Sequence, residues 1–342
     1  MTVSWASLYV LLGAPTRLQA ISATVLFLLG AAVATSSRGD AAAYVVLVGF
    51  AVCVLRWRDV SARPWRLVVP VVAAAAGLVS FIGAQQTQVL SGGFEVVVDR
   101  PTEELWFRNL TELPALVIGV FGVGPLGNLG WFDTGMPAVT TISAALVAGG
   151  LLFAGFGAMT ARKGIALAVV GAGLLAIPLY LLQISRNVVG ENLQPRYLLP
   201  LVPALLGLAL SGRGGDDAVR PTRGQAVLAY ALLVIAQSMA LHATMRRFVT
   251  GSDVGVFNLE PTEWWWNSAP SPMVVWALGT GAFAVLATAV LLVSAPGEDW
   301  SPKERTAADR PTGGRSAAAE PADRLARGRV TYQAALLEDE PP

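Results

Sequence analysis

The sequence predicts an all-α polytopic transmembrane helix bundle, and three observations carry that prediction. Of 342 residues, 54% are hydrophobic and only 14% charged, with a mean hydropathy of +0.57. A soluble globular chain carries about 25% charged residues, so the excess apolar surface here requires a bilayer. Eight apolar segments, at 17–36, 41–56, 67–84, 137–158, 164–184, 197–211, 225–243 and 273–294, approach the roughly 20 residues that span the hydrocarbon core. The arginines cluster in the short connections between them, where the positive-inside bias places cytoplasmic loops.

That clustering sets the topology. "RWRDVSARPWR" holds Arg56, Arg58, Arg63 and Arg66. The next basic loop holds Arg162 and Lys163, and "GRGGDDAVRPTRG" holds Arg213, Arg220 and Arg223. All three face one side only if the ninth apolar segment, 114–128 ("PALVIGVFGVGPLGN"), dips and returns. Its Gly122, Gly124, Pro125 and Gly127 break a regular helix, and broken backbone at membrane depth is tolerated inside protein or beside a wet cavity. The expectation is about eight spans, one re-entrant or interfacial element at 114–128, and both termini cytoplasmic. Arginine outnumbers lysine 22 to 2 in an Ala- and Gly-rich chain, a bias that points to a high-GC bacterium and its plasma membrane.

Two domains follow: a transmembrane helical domain over 1–294 and a disordered cytoplasmic tail over 295–342, rich in Pro, Ala, Gly and charge. The amino-terminal "MTVSWASLYVLLGAPTR" lacks the basic n-region and cleavage site of a signal peptide.

Composition removes several functions. A net charge of +1 gives no basis for nucleic-acid binding, and a single Cys53 and a single His242 rule out disulfide frameworks and Cys- or His-rich metal centres. No cofactor and no defined metal site is expected; the acidic residues at 95–104 would permit a divalent metal, but their spacing resembles no defined site. The spans carry no Asp, Glu, Lys or Arg at mid-depth, which argues against an ion-coupled pump.

Chemistry-bearing residues gather in the three outer segments, 85–136, 185–196 and 245–271. Asp133 follows the broken element, where a partly desolvated carboxylate suits general-base work; turn formation in "FDTG" is the competing reading. Arg196 lies between Pro195 and Tyr197 at the lip of an apolar run, either snorkelling to the interface or binding an anion. Arg246 and Arg247 stand against the positive-inside bias, reaching lipid phosphates or a phosphorylated substrate through a planar fork. Trp264, Trp265 and Trp266 form an aromatic belt or a platform for a sugar ring or headgroup. His242 reads as a hydrogen-bonded packing residue, and Glu95, Asp99, Glu103, Glu104 and Glu112 as a solvated acidic loop. "GVGPLG" fits G-x-G-x-x-G, but no βαβ unit surrounds it and Pro125 donates no amide. The sequon "NLT" at Asn109 carries no weight in a bacterium.

Two stretches in order, "GNLGWFDTGMP" and "LQPRYLLPLVPALL", followed by "RRFVTG" and "WWWNSAPSPMVVWALG", resemble a family of bacterial polytopic membrane proteins of unknown function. Its patterns run close to G-W-L-D-T-x-x-P and Q-G-R-Y-L-L-P, and the resemblance covers roughly residues 65 to 294. That family is in turn similar to membrane glycosyltransferases that take a sugar from a polyprenyl-phosphate carrier. The resemblance implies a carrier-linked sugar as substrate and cell-envelope glycan and membrane lipids as partners. It places the motif aspartate at Asp133 and the motif arginine at Arg196, beside Tyr197, with Arg246 and Arg247 at the carrier phosphate. Pro195 replaces the usual glycine. Family members usually begin with further spans and a large acidic outer loop, whereas the first outer connection here is "SSRGD", with Asp40 alone. A non-enzymatic membrane scaffold or lipid-binding component of envelope assembly is the alternative.

Overall fold

The computed structural model describes residues 1–37, 41–83, 100–128, 134–212, 219, 221–251, 253, 255 and 257–294. Its regular structure there is helical: α1 (Thr2–Gly13), α2 (Arg17–Ser37), α3 (Ala41–Leu55), α4 (Trp57–Ala62), α5 (Val68–Gly83), α6 (Thr102–Gly119), α7 (Ala138–Phe156), α8 (Ala161–Ile184), α9 (Leu201–Leu210), α10 (Arg223–Val249) and α11 (Pro272–Ser294). Short 3₁₀ turns at Pro64–Leu67, Pro125–Gly127 and Pro195–Tyr197 each start on proline, whose fixed φ suits a first helical position. The described helices belong to the unit Met1–Val293. The segment 295–342 and its expected disorder lie outside the described residues.

Every expected span coincides with a helix, but the lengths differ. Among the described residues five helices (α2, α7, α8, α10 and α11) are long and apolar enough to cross a membrane; the apolar helices α3, α5 and α9 are shorter. The largest departure is the expected span 197–211. Its regular helix is only Leu201–Leu210, about 15 Å long at 1.5 Å per residue. Pro200 stands at its N-cap and Pro203 in its first turn, and without amide protons they cannot extend the ladder backwards.

Three helices were not expected: α1, α6 and the short α4, which lies within the first basic loop. α1 is too short to register as a span, yet its Leu8, Leu11 and Leu12 are almost fully buried in the central core against α2 and α3. α6 occupies the supposed acidic outer loop. Glu103 and Glu104 fall in its first turn, where the helix dipole favours them, and Arg108 reaches both Glu104 (3.6 Å) and Glu112 (3.9 Å) one turn away. These exposed pairs contribute little; burial of Leu105, Leu113 and Leu116 holds the helix. α6 continues through Pro114.

The core is built mainly from α1, α2, α3, α8 and α9. Small residues permit close approach, as in many membrane bundles. A Cβ added at Gly155 of α7 would lie 2.7 Å from the Ala209 carbonyl oxygen of α9, and one at Gly173 of α8 would lie 2.3 Å from Leu47 of α3. α11 leans on α10 through polar contacts: Trp276 Nε1 donates to the Ser238 carbonyl (3.0 Å) and Thr280 Oγ1 to Ser238 Oγ (3.2 Å). Leu278, Val285, Leu286, Leu292 and Val293 of α11 are exposed, as a lipid-facing surface requires.

The basic loops converge at one end of the bundle. Arg66, 5% exposed, donates to the carbonyls of Leu11 (3.0 Å), Leu12 (2.9 Å) and Ala14 (2.8 Å), closing the C-terminus of α1. The Arg56 guanidinium lies 3.9 Å over the Tyr9 ring, and the Tyr9 hydroxyl donates to the Gly212 carbonyl. Leu55, Arg162, Lys163 and Gly212 line one cavity. Cations at helix C-termini offset the dipole there, so the clustering of positive charge at this end has a structural use.

Candidate functional site

The opposite end is organised by the segment between α8 and α9, residues 185–197. α8 closes in a Schellman arrangement: the Asn187 amide donates to Leu182 (3.0 Å) and the Arg186 amide to Gln183 (3.2 Å). The left-handed position, usually glycine, is taken by Arg186 at φ 52. The exception is explained by its side chain, whose Nη2 donates to the Arg100 carbonyl just before α6.

α6 lies along this segment from start to finish. At its start Arg100 forms a bidentate pair with Glu191 (2.7 and 3.1 Å); the hydrogen bond to Glu191 raises the Arg100 pKa, so the guanidinium stays charged at every working pH. Glu191 also accepts from the Val188 amide (2.8 Å). Midway, Asn109 is fully buried and bridges two backbone groups: Nδ2 donates to the Asn187 carbonyl (2.9 Å) and Oδ1 accepts from the Val189 amide (3.0 Å). The sequon reading of Asn109 is thereby excluded. At the end of α6, a Cβ on Gly119 would stand 2.7 Å from Pro195 Cγ. The Pro195 ring therefore fits only against a glycine.

Beyond α6 the chain turns back on itself. Gly122 and Gly124 have φ of 83 and 70, and a Cβ on Gly127 would meet the Gly122 carbonyl carbon at 2.2 Å. The 114–128 segment is thus half helix and half tight reversal. The reversal brings Leu126 over Gly190, which adopts φ 97 and whose Cβ would meet Leu126 at 3.1 Å. Gly190→Ala is expected to cost about 1–3 kcal/mol from the left-handed backbone and to loosen the Leu126 contact. A thermal unfolding midpoint equal to wild type would show that this contact holds nothing.

The expected site residues fall in two groups. Arg196 is exposed on the Pro195–Tyr197 turn with its guanidinium 5.7 Å from the Tyr197 ring, and Tyr197 packs partly into the core. Arg246 and Arg247 are half-buried in the last turn of α10. Arg247 lies 5.0 Å from the Phe248 ring, whereas Arg246 Nε is buried and unpartnered among the described residues. Trp266 packs against both Trp264 and Trp265, with ring centroids 4.7 and 5.1 Å away; Trp264 and Trp266 are more than half exposed. The Glu263 and Trp264 amides fold back onto the Val249 carbonyl (2.8 and 3.3 Å), fixing the tryptophans at the end of α10. Asp133, with Trp131 and Phe132, lies outside the described residues, as do Glu95 and Asp99.

His242 is a packing residue. It is 8% exposed, stacks 4.8 Å from Phe257, packs edge-on to Trp276 and donates from Nε2 to the Phe257 carbonyl (2.7 Å). Glu191, which sequence reasoning did not single out, is committed to Arg100 and the Val188 amide. Asp253 and Glu263, both exposed, flank Gly251 at the end of α10.

A helical membrane bundle carrying these features matches, over residues 2–205, the family described as predicted membrane protein (DUF2142). The chain belongs to that family. No curated protein matches it and no solved structure does. The DUF2142 match begins earlier and ends earlier than the expected resemblance over 65–294. It takes in α1, which contributes to the central core, and it includes Arg196, Tyr197 and Asp133. Arg246, Arg247 and the three tryptophans lie beyond it.

Proposed function

We propose that this DUF2142 protein binds a polyprenyl-phosphate-linked sugar at the 185–197 end of the bundle and transfers it to cell-envelope glycan. Arg196, Arg246 and Arg247 hold the carrier phosphate, Tyr197 and the three tryptophans line the approach, and Asp133 orients or activates the acceptor. The observation that carries this reading is the turn at Pro195–Tyr197: Pro195 is buried against Gly119 of α6 and Leu198 is buried behind it, yet the turn presents Arg196 outward. A turn built this firmly suits a preorganised anion contact. Arg246, half-buried with its Nε unpartnered among the described residues, adds a second guanidinium on α10.

The same proposal includes eight crossings in a bacterial plasma membrane, with the basic end inside and the C-terminus in the cytoplasm; the expected cytoplasmic N-terminus does not fit it, because α1 ends at the basic end and leads away from there beside α2, with Ser4 against Gly30. The contacts of α6 along 185–197 support its lying at the outer face. In a Cys53→Ala background, Glu104→Cys and Val123→Cys are expected to react with an impermeant maleimide from outside the cell, and Ser61→Cys only after permeabilisation. Labelling of Val123→Cys solely from inside would overturn this arrangement. The second reading, a scaffold or lipid-binding component, draws on the commitment of Glu191 to Arg100 and on the exposure of Asp253 and Glu263. Loss of glycan transfer in the Arg196→Ala protein, at unchanged membrane level, separates the two.

A further inference from the structure

At the basic end, the start of α8 concentrates positive charge that no carboxylate among the described residues neutralises. Lys163 is only 2% exposed, and its ammonium makes one hydrogen bond, at 3.3 Å to the Ala158 carbonyl. A lysine that merely closed the C-terminus of α7 would keep its head in water; this one is withdrawn from it. Beside it, Arg162 Nη1 is buried with no partner among the described residues. Both line a cavity of about 30 Å³ with Thr160, Ser211, Gly212 and Leu55, room for about two water-sized atoms.

The local helix geometry adds to the charge. Thr160 caps α8 by accepting from the Lys163 amide (3.3 Å). That leaves the first amides of a 24-residue helix, with the positive end of its dipole, at the same place. Lys163 is buried and Arg162 partly so, neither with a carboxylate partner among the described residues, an arrangement that is costly unless an anion completes it. The cavity accepts two oxygens of a tetrahedral anion but not a sugar ring. We propose that this cavity is a phosphoryl-binding site in which Lys163 and Arg162 hold one phosphoryl group at the start of α8. The site is independent of the carrier reading above, since it lies at the other end of the bundle and shares no residue with it. A lipid headgroup and free phosphate present the same chemistry to it.

The test uses the full-length protein purified in an uncharged detergent, with the unfolding midpoint followed during two titrations. One titrates phosphatidylglycerol against phosphatidylcholine, the other sodium phosphate against sodium chloride at equal ionic strength. Stabilisation by phosphatidylglycerol alone assigns the site to a lipid headgroup, and stabilisation by phosphate assigns it to a free anion. In either case Lys163→Met and Arg162→Gln are expected to need roughly tenfold more of the probe, the effect of losing one charge-assisted hydrogen bond, while Lys163→Arg retains most of the response. Arg162 Nη1 has no hydrogen-bond partner to lose among the described residues, so Arg162→Gln decides the matter if Lys163→Met fails to fold. Wild-type protein indifferent to both probes, or Arg162→Gln responding like wild type, overturns the proposal.

Discussion

Replacing Asn109 with alanine is expected to lower stability by about 2–5 kcal/mol, the largest effect of any single substitution at the 185–197 end. Asn109 is 0% exposed and satisfies two backbone groups, the Asn187 carbonyl and the Val189 amide. Its removal strands both in a dry interior, and each stranded group costs about 1–3 kcal/mol. In thermal unfolding of the purified protein this corresponds to a fall of roughly 5–15 °C. Asn109→Asp should be at least as damaging. It keeps the acceptor for the Val189 amide but turns a carboxylate oxygen toward the Asn187 carbonyl, burying an unpaired charge. A shift below about 2 °C for Asn109→Ala would mean that α6 does not hold the segment through this residue.

The second large effect is on activity. Arg196→Ala is expected to reduce envelope glycan transfer by roughly 10–100-fold at limiting carrier, as loss of a charge-assisted contact to phosphate implies. Membrane level and unfolding midpoint should stay unchanged, because Arg196 is exposed and its turn is held by Pro195 and Leu198, both buried. Arg196→Lys should fall between the two, since lysine keeps the charge but loses the planar fork. Transfer is measured in cells that depend on this gene for it, with protein quantified by blot. Normal transfer in the Arg196→Ala strain removes the residue from the mechanism.

The helices could be read from the sequence wherever apolar composition and length agreed. α2, α7, α8, α10 and α11 are such cases. α9 was misjudged because the apolar run 197–211 was counted as one span, although its prolines read as breaks in the regular ladder; Pro200 and Pro203 confine the helix to Leu201–Leu210. α6 was hidden by its composition: "TEELWFRNLTELP" looks like a solvated loop, although Glu104, Arg108 and Glu112 already stood at helical spacing. α1 is shorter than any span and shows its role only through the burial of Leu8, Leu11 and Leu12.

The site was less legible, for a reason of distance along the chain. Asn109 meets partners 78 and 80 residues away, and Arg100 meets Glu191 at a separation of 91; no local pattern announces such pairs. Arg196 was visible because an arginine at the lip of an apolar run is unusual in itself. Lys163 counted in the sequence only as one more basic loop residue. Its near-complete burial beside Arg162 is a property of packing among α3, α7, α8 and α9.

Whether the 185–197 end holds a lipid-carrier phosphate is decided by binding measured apart from catalysis. Purified full-length protein would be mixed with a short-chain polyprenyl phosphate and observed by native mass spectrometry. Wild type, Arg196→Ala, Arg246→Ala and Lys163→Met would be compared, the last to exclude adducts at the basic end. A one-to-one adduct is expected in wild type and Lys163→Met, and its loss in both Arg196→Ala and Arg246→Ala. Equal retention by all four proteins would contradict carrier binding at this end.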